Sequence, residues 1–277
     1  RINKMSNLKM FCITLEPNHY EFIKKLGYIP VGLGEKVFNK ECLSDKTDLN
    51  ISGKNKHYGE YTFHYWIWKN YLEHLDDRWI GFCQYRKFWS INQYDPKDIH
   101  IDSLYSQVLK EVPSYFENYE SILGDPIFTN NFKGMKFIKK GFNIILRKPS
   151  LLFDKRKRNI NFHFDLMHGK NNLHEAINLL DEKNKNDFSK FVNTEVSFNP
   201  HNMFICKSKK KLKEYYEDLF PWLEKCEKLF GFEDLKGFGK IRIYTFLAER
   251  FMPYWFKKNS KSITMPIIFY DIRKDLY

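Results

Sequence analysis

The run Trp79-Ile80-Gly81-Phe82-Cys83 is apolar at every position, and it constrains the fold more than any other stretch. A strand with one wet face alternates in polarity, so a strand without polar positions must be covered on both faces, as inner strands of α/β sheets are. Such a strand delivers Gln84, Tyr85 and Arg86 at its carboxyl end, where ligands of open α/β sheets gather. Upstream, Phe63, Trp66, Ile67 and Tyr71 recur at spacings of three and four, which predicts a helix from about Tyr58 to Leu75. Glu60 lies in its first turn, where the helix dipole favours an anion, and Lys69, Asn70 and Glu73 give it a polar face. Before the helix, Asp45, Asp48, Asn50, Ser52 and Asn55 crowd around Gly53. Short polar side chains of this kind close turns and supply a helix with its first acceptors. They also suit a ribose or sugar hydroxyl, which needs both donors and acceptors. Loop, helix and strand in this order point to a nucleotide-sugar pocket.

The rest of the chain reads as continuous. Leu8 to Thr14 is a strand candidate, Tyr28 to Leu33 has a β-prone start, and a first lobe is expected to run to about Gln93. Tyr94 to Tyr119 is polar and helical in pattern, and Ile122 to Asn130 reads as strand and turn around Asp125-Pro126. Within the basic, poorly patterned stretch Lys133 to Asn161, the run Lys155-Arg156-Lys157-Arg158 is expected to be a solvated face or mobile loop, with a diphosphate or lipid-head contact as the alternative. Phe162 to Leu180 reads as a helix-rich insert whose His163, His168 and His174 raise a metal site. Their spacing lacks the i, i+4 histidine pair of a zincin helix, and Gly169 interrupts the run. Around the turn Asn199-Pro200-His201-Asn202, two readings stand level: a turn whose amides face a cleft, and a plain hairpin turn. Lys207 to Lys225 is predicted to be a basic amphipathic helix packed on the sheet, and Tyr244 to Phe251 another helix, where adjacent Glu249 and Arg250 do not share a face.

The segments LSDKTDLNISGKN, YGEYTFHYWIWKN and WIGFCQYRKFW, followed by Asn199 to Ile205 and by Phe246 to Arg250, resemble in order the signatures of the DUF4422 family of bacterial capsular-polysaccharide glycosyltransferases. The matches run from about Tyr28 to Phe251. The resemblance implies a GT-A-like, Rossmann-related mixed α/β sheet flanked by helices, with a helix-rich insert, in a single glycosyltransferase domain over residues 1–277. Its nucleotide-binding lobe would cover about 1–93 and its acceptor-side lobe about 94–277. Some relatives are understood to transfer galactofuranose, which makes a furanose donor an expectation here. The motif positions are Asp45, Asn50, Asn55, Glu60, Tyr65, Lys69, Tyr85, Arg86, Asn202, Glu249 and Arg250. Three departures stand out: Gln84 where the family usually has His, Lys87 where it has a second Arg, and Leu49 inside its Gly-Asp-Asn step.

Glycosyl transfer needs a stabilised nucleotide-diphosphate leaving group, a deprotonated acceptor hydroxyl and a fixed anomeric carbon. Arg86, Lys69 and Arg250 are the candidates for the first task, with Asp45, Asn50, Asn55, Tyr65, Tyr85 and Asn202 completing a donor-binding set. Arg250 is favoured for phosphate because its planar fork holds two oxygens. For the base, Glu60, Glu249 and Asp45 compete. The resemblance adds His168, since relatives often carry a histidine in that region. Many GT-A enzymes bind Mn or Mg through Asp-x-Asp at a strand end, but the sequence contains no Asp-x-Asp. Metal-independent transfer with cationic side chains is therefore expected, with Mn or Mg held by a single acidic residue and the diphosphate as the alternative, and no residue is assigned as a metal ligand.

With 277 residues and 43% hydrophobic content, the chain can bury one large core or two modest ones. No stretch approaches the roughly 20 apolar residues of a membrane span. The five cysteines are scattered and are read as reduced thiols. The first residue, Arg1, is read as a sign that this is a piece of a longer polypeptide. A net charge of +12 attracts nucleic acid, anionic membrane and phosphorylated substrates, although a low-GC codon bias would enrich the same Lys-rich composition. Phe251 to Lys258 sets aromatics beside lysines, as interfacial segments do, with a packed segment edged by lysines as the alternative. The expected protein is cytoplasmic and peripheral at the inner face of the bacterial membrane. Its partners are a UDP-sugar donor and an oligosaccharide or lipid-linked glycan acceptor, without nucleic acid. A noncatalytic carbohydrate-binding module and a nucleic-acid-binding protein remain as alternatives.

Overall fold

The computed structural model describes residues 6–275 except 77, 96, 98 and 131–148. The chain divides into two compact units, one of residues 1–125, 201–217 and 256–277, the other of residues 126–200 and 218–255. The lobe boundary expected near Gln93 and the division at Asp125 do not coincide, because residues 94–125 contribute a strand to the first unit.

The first unit is built on a nine-stranded mixed sheet. β1 (Leu8–Thr14) runs parallel to β2 (Ile29–Gly32) on one side, which in turn pairs with β3 (Leu43–Ser44). On its other side β1 pairs in parallel with β4 (Trp79–Gln84). The short β5 (Lys87–Trp89) turns back against β4 and carries β11 (Ile267–Phe269) as an antiparallel partner. Beyond β4, the sheet continues through antiparallel β9 (Phe204–Cys206), β6 (Ser121–Gly124) and β10 (Ser262–Met265). β4 is buried from Trp79 to Cys83, as an all-apolar strand requires. Gly81 lies in register with Met10 on one neighbour and Ile205 on the other. A Cβ there would sit 2.8 Å from Met10 Cε and 3.1 Å from Ile205 Cγ1, so glycine lets these two side chains close over the strand.

The helix expected over Tyr58 to Leu75 forms in pieces. One turn, Asn55–Tyr58, ends at Gly59 with φ 54° and ψ −132°, a conformation open only to glycine. Helix Tyr61–Trp66 then widens into a π-helical segment, Ile67–Tyr71, and closes with a 3-10 turn, Leu72–His74. The wider turn brings Tyr71 onto Trp66 at 5.4 Å between ring centroids and within 6.3 Å of Phe11. Phe63 and Phe82 each pack on Phe11 at 5.6 Å. His64 is drawn into the same core, 4.3 Å from the Phe82 ring, with its Nδ1 bonded to Tyr216 Oη at 2.7 Å.

The second unit is largely helical among its described residues. It contains Ile160–His168, Asn172–Asn178 and Glu182–Thr194, together with a small antiparallel pair of β7 (Ile127–Phe128) and β8 (Ser197–Phe198). The first and third helices are capped by Asn159 and Asp181, whose side chains accept from Phe162 N and Asn184 N. Phe188 gathers Trp222, Phe251 and Tyr254 at 4.9 to 5.9 Å. Two expectations change here. Phe251 to Phe256 are all buried inside helix Ile243–Asn259 and only Lys257 and Lys258 face out, so this segment is packed core with a lysine edge. The basic run is not uniform: Lys155, Arg156 and Lys157 are exposed, but Arg158 is buried and donates to Leu151 O at 2.6 Å and Asn130 O at 2.9 Å. No helix among the described residues is long and apolar enough to cross a membrane.

Candidate active site

At the carboxyl end of β4, three polar side chains converge. Gln84 Nε2 donates to Glu60 Oε1 at 3.3 Å and to the carbonyl of His201 at 3.3 Å. Asn202 Nδ2 donates to the same Glu60 oxygen at 2.9 Å. This depends on the chain between β8 and β9, where His201 and Asn202 both adopt left-handed backbone, at φ 76° and 54°. Asparagine tolerates that region better than most residues. The hairpin-turn reading fails, because β8 pairs with β7 while β9 pairs with β4 and β6. The glutamine at the family's histidine position thus serves as an amide tie between the strand end and the head of the helix.

Next along the strand, Tyr85 is buried, with the guanidinium carbon of Arg86 at 5.1 Å and that of Arg273 at 5.4 Å from its ring. The His19 ring lies 5.2 Å away. His19 follows the carboxyl end of β1 and binds Thr14 Oγ1 through Nδ1 at 2.7 Å, and burial lowers its pKa. The C-terminal segment returns to this point: Tyr270 N donates to Arg86 O at 3.2 Å and Ile272 N to Tyr85 O at 3.4 Å. Asp271, bound by the Arg273 fork, is held below the usual carboxylate range. Glu16 and Lys36 form a further ion pair near His19, with Lys36 lowering the Glu16 carboxyl.

The other expected donor residues of this unit lie in the loop and on the helix. Asp45 follows β3 and is 1% exposed, with neither carboxylate oxygen in a hydrogen bond of good geometry. Burial raises its pKa, and the neighbouring Thr62 hydroxyl offsets this only in part. Asn50 knits the loop, donating to Asp48 O at 2.9 Å and accepting from Ser52 Oγ at 2.8 Å. Asn55 spans the helix break, donating to Gly59 O at 3.0 Å and Thr62 Oγ1 at 3.1 Å. Hydrogen bonds fasten the loop to the helix: Trp66 Nε1 donates to Thr47 Oγ1 at 3.0 Å, Asn70 Nδ2 to Leu49 O at 2.8 Å, and Leu49 N to Asn70 Oδ1 at 3.3 Å. Tyr65 and Lys69 group with Trp68, the Lys69 Nζ standing 3.4 Å from the Trp68 ring centroid.

Arg250, Glu249 and His168 belong to the second unit and form a cluster of their own. Arg250 is 2% exposed, and its Nη1 donates to Glu249 Oε2 although the two residues are adjacent on the helix. Its Nη2 lies 3.3 Å from His163 Nδ1 and 3.4 Å from His168 Nε2, and the Phe198 ring covers the guanidinium at 4.2 Å. His168 is held by Gly239 O at 3.0 Å and stacks on Phe246 at 3.9 Å. His174 stands apart, exposed on the next helix. Burial first, and the Arg250 charge second, push His163 down to about 4. Burial pushes His64 of the first unit down to about 3.

A histidine whose folded pKa is depressed gives stability that is complete above its unfolded value near 6.5 and is lost as pH falls through the folded value. Urea unfolding of the whole chain is therefore expected to show stability falling from pH 6.5 towards pH 4. His163 alone would contribute a loss of about 3 kcal/mol at the low end. A His163→Asn variant should show a shallower decline, and an unchanged slope would contradict this account.

Among the described residues, no three His, Cys, Asp or Glu side chains gather into a metal-binding group. The Glu60 carboxylate faces amide donors and Asp271 a guanidinium, so the donor sets at the strand end do not fit a divalent ion held by protein ligands. Sequence reasoning missed His19, Asp271 and Arg273. His19 was within reach of the rule that sites form at strand carboxyl ends, whereas nothing local marks Arg273.

The fold has a known counterpart. Over 95% of its length the chain superposes on 45% of the chain in an apo structure of the bifunctional glycosyltransferase WbbM, with a TM-score of 0.66 and 18% sequence identity. The chain thus spans less than half of that protein, and the likeness establishes a GT-A-like mixed α/β fold. No curated protein shows significant sequence similarity to it. The model of one family, described as a domain of unknown function (DUF4422), matches residues 12–260, and the chain belongs to that family.

Proposed function

We propose that the protein is a glycosyltransferase that moves a sugar from a nucleotide-diphosphate donor, UDP-linked, to a hydroxyl of a growing capsular or surface polysaccharide. The observation that carries this reading is Glu60, oriented by two amides at the carboxyl end of β4, the strand that continues in sequence into Tyr85 and Arg86. Family membership and the fold of a glycosyltransferase support it. In this reading Glu60 takes the proton of the acceptor hydroxyl as its oxygen attacks the anomeric carbon. The bond to the diphosphate breaks with both electrons leaving on the nucleoside diphosphate, and Arg86 neutralises that charge. Tyr85, Asn202 and the 45–55 loop shape the donor pocket, and Tyr65 and Lys69 extend it at the helix surface. Arg250, Glu249 and His168 serve instead as an internal ion cluster of the second unit, since a guanidinium already engaged and 2% exposed is poorly placed for a phosphate. A galactofuranose-type donor and peripheral membrane contact belong to the same proposal. The membrane contact rests on the net charge of +12, since the C-terminal aromatics are buried.

Calorimetry and thermal shift with UDP and UDP-sugars, in pyranose and furanose forms and with and without Mn, test the proposal. Nucleotide binding is expected, and Arg86→Ala should weaken it about ten- to a hundredfold, the worth of a charge-assisted hydrogen bond. Glycan affinity without nucleotide affinity would instead identify a carbohydrate-binding module.

A further inference from the structure

The C-terminal segment is stitched onto the β4–β5 turn by backbone bonds from Tyr270 to Arg86 and from Ile272 to Tyr85. It thereby brings a second guanidinium, Arg273, to the ring that Arg86 already flanks. Arg86 is exposed and Arg273 partly exposed, so both guanidinium groups beside this ring are open to an anion from solvent. Within the chain Asp271 supplies a carboxylate: Arg273 Nε lies 3.0 and 3.1 Å from its two carboxylate oxygens, and the charge of Arg86 also acts on it. A carboxylate held in an arginine fork has the same planar two-oxygen geometry that a phosphate presents. The arrangement lies at the carboxyl ends of the parallel strands β1 and β4, where ligands of open α/β sheets gather. An Asp-Arg pair two residues apart on a partly exposed segment is weak in itself and is readily exchanged for a stronger anion.

We infer that Arg273 and Arg86 together clamp the diphosphate of a nucleotide ligand, and that Asp271 is an internal counter-ion which occupies the Arg273 fork until the diphosphate displaces it. The inference rests on the proposed transferase reading and deepens it by naming the second cation and its competitor. It assigns to the C-terminal segment the charge neutralisation that a divalent ion supplies in other sites.

The test is calorimetry on the whole chain with inorganic pyrophosphate, UDP, GDP, CDP and ADP as probes and with uridine as a control lacking phosphate. Arg273→Ala is expected to weaken pyrophosphate and nucleoside-diphosphate binding about tenfold or more, with uridine binding unmoved. Asp271→Asn removes the competitor and is expected to tighten diphosphate binding several-fold. A purely structural ion pair predicts the opposite, since breaking it would loosen the segment and weaken or leave unchanged every ligand. Binding by wild type that neither variant alters, or weaker binding in Asp271→Asn, overturns this inference while leaving the transferase reading standing. Failure of wild type to bind any of the five phosphate probes overturns both.

Discussion

Glu60→Gln is expected to lower the rate of sugar transfer about 10²- to 10⁴-fold while leaving nucleotide affinity near the wild-type value. Glutamine keeps the shape of the side chain, and its carbonyl oxygen can still accept from Asn202 at 2.9 Å and Gln84 at 3.3 Å, so the surrounding turn has no reason to move. What it loses is the capacity to accept a proton. Collapse of nucleotide affinity would move Glu60 into the donor-binding set. Near-normal turnover would strike it from the mechanism and leave Asp45, a buried carboxylate among the described residues of that unit, as the next candidate.

Arg250→Ala is expected to destabilise the protein by about 3–5 kcal/mol, the loss that follows when one member of a buried ion pair is deleted and the other charge remains. Glu249 is 14% exposed and would lose its guanidinium, while His163, His168 and the face of Phe198 would border the space left behind. A double variant, Arg250→Met with Glu249→Gln, should recover much of the loss, because no uncompensated charge then remains buried. Urea unfolding measures both. Arg250→Lys separates stability from ligand binding: it should lower stability without changing nucleotide affinity, whereas a phosphate ligand would show a clear loss of affinity on the same change.

The parts of the fold most legible in the sequence were those in which one physical rule acts alone. β4 has no polar position from Trp79 to Cys83 and is buried over that stretch, and β1 is buried at six of its seven positions. The helix after the loop was legible in its apolar spacing but not in its breaks, since Gly59 takes a backbone shape and Ile67–Tyr71 a winding that periodicity does not encode. Charge was the least legible property. Arg250 is favoured for phosphate by its planar fork, and what sequence does not show is that Glu249 and two imidazoles of the helix Ile160–His168 stand against that guanidinium. Arg158 sits in a run of four cations and is the one turned inward, because the carbonyls of Leu151 and Asn130 satisfy its donors. The union of Glu60 with Asn202 joins residues 142 positions apart and depends on two left-handed backbone positions, so no local pattern announces it. Arg273 reaches Tyr85 through the pairing of β11 with β5, a long-range contact of the same kind.

In the proposed transferase the carboxyl ends of β1 and β4 form a nucleotide-diphosphate site with Glu60 at its edge. Hydrogen exchange of the whole chain, with and without saturating UDP, tests it most directly. The account predicts slowed exchange at residues 84–87, 201–203 and 270–273, with residues around Arg250 unchanged. Protection confined instead to the segment around Arg250, or to the cavity of about 490 Å³ lined by Tyr105, Leu109 and Pro113, would contradict it.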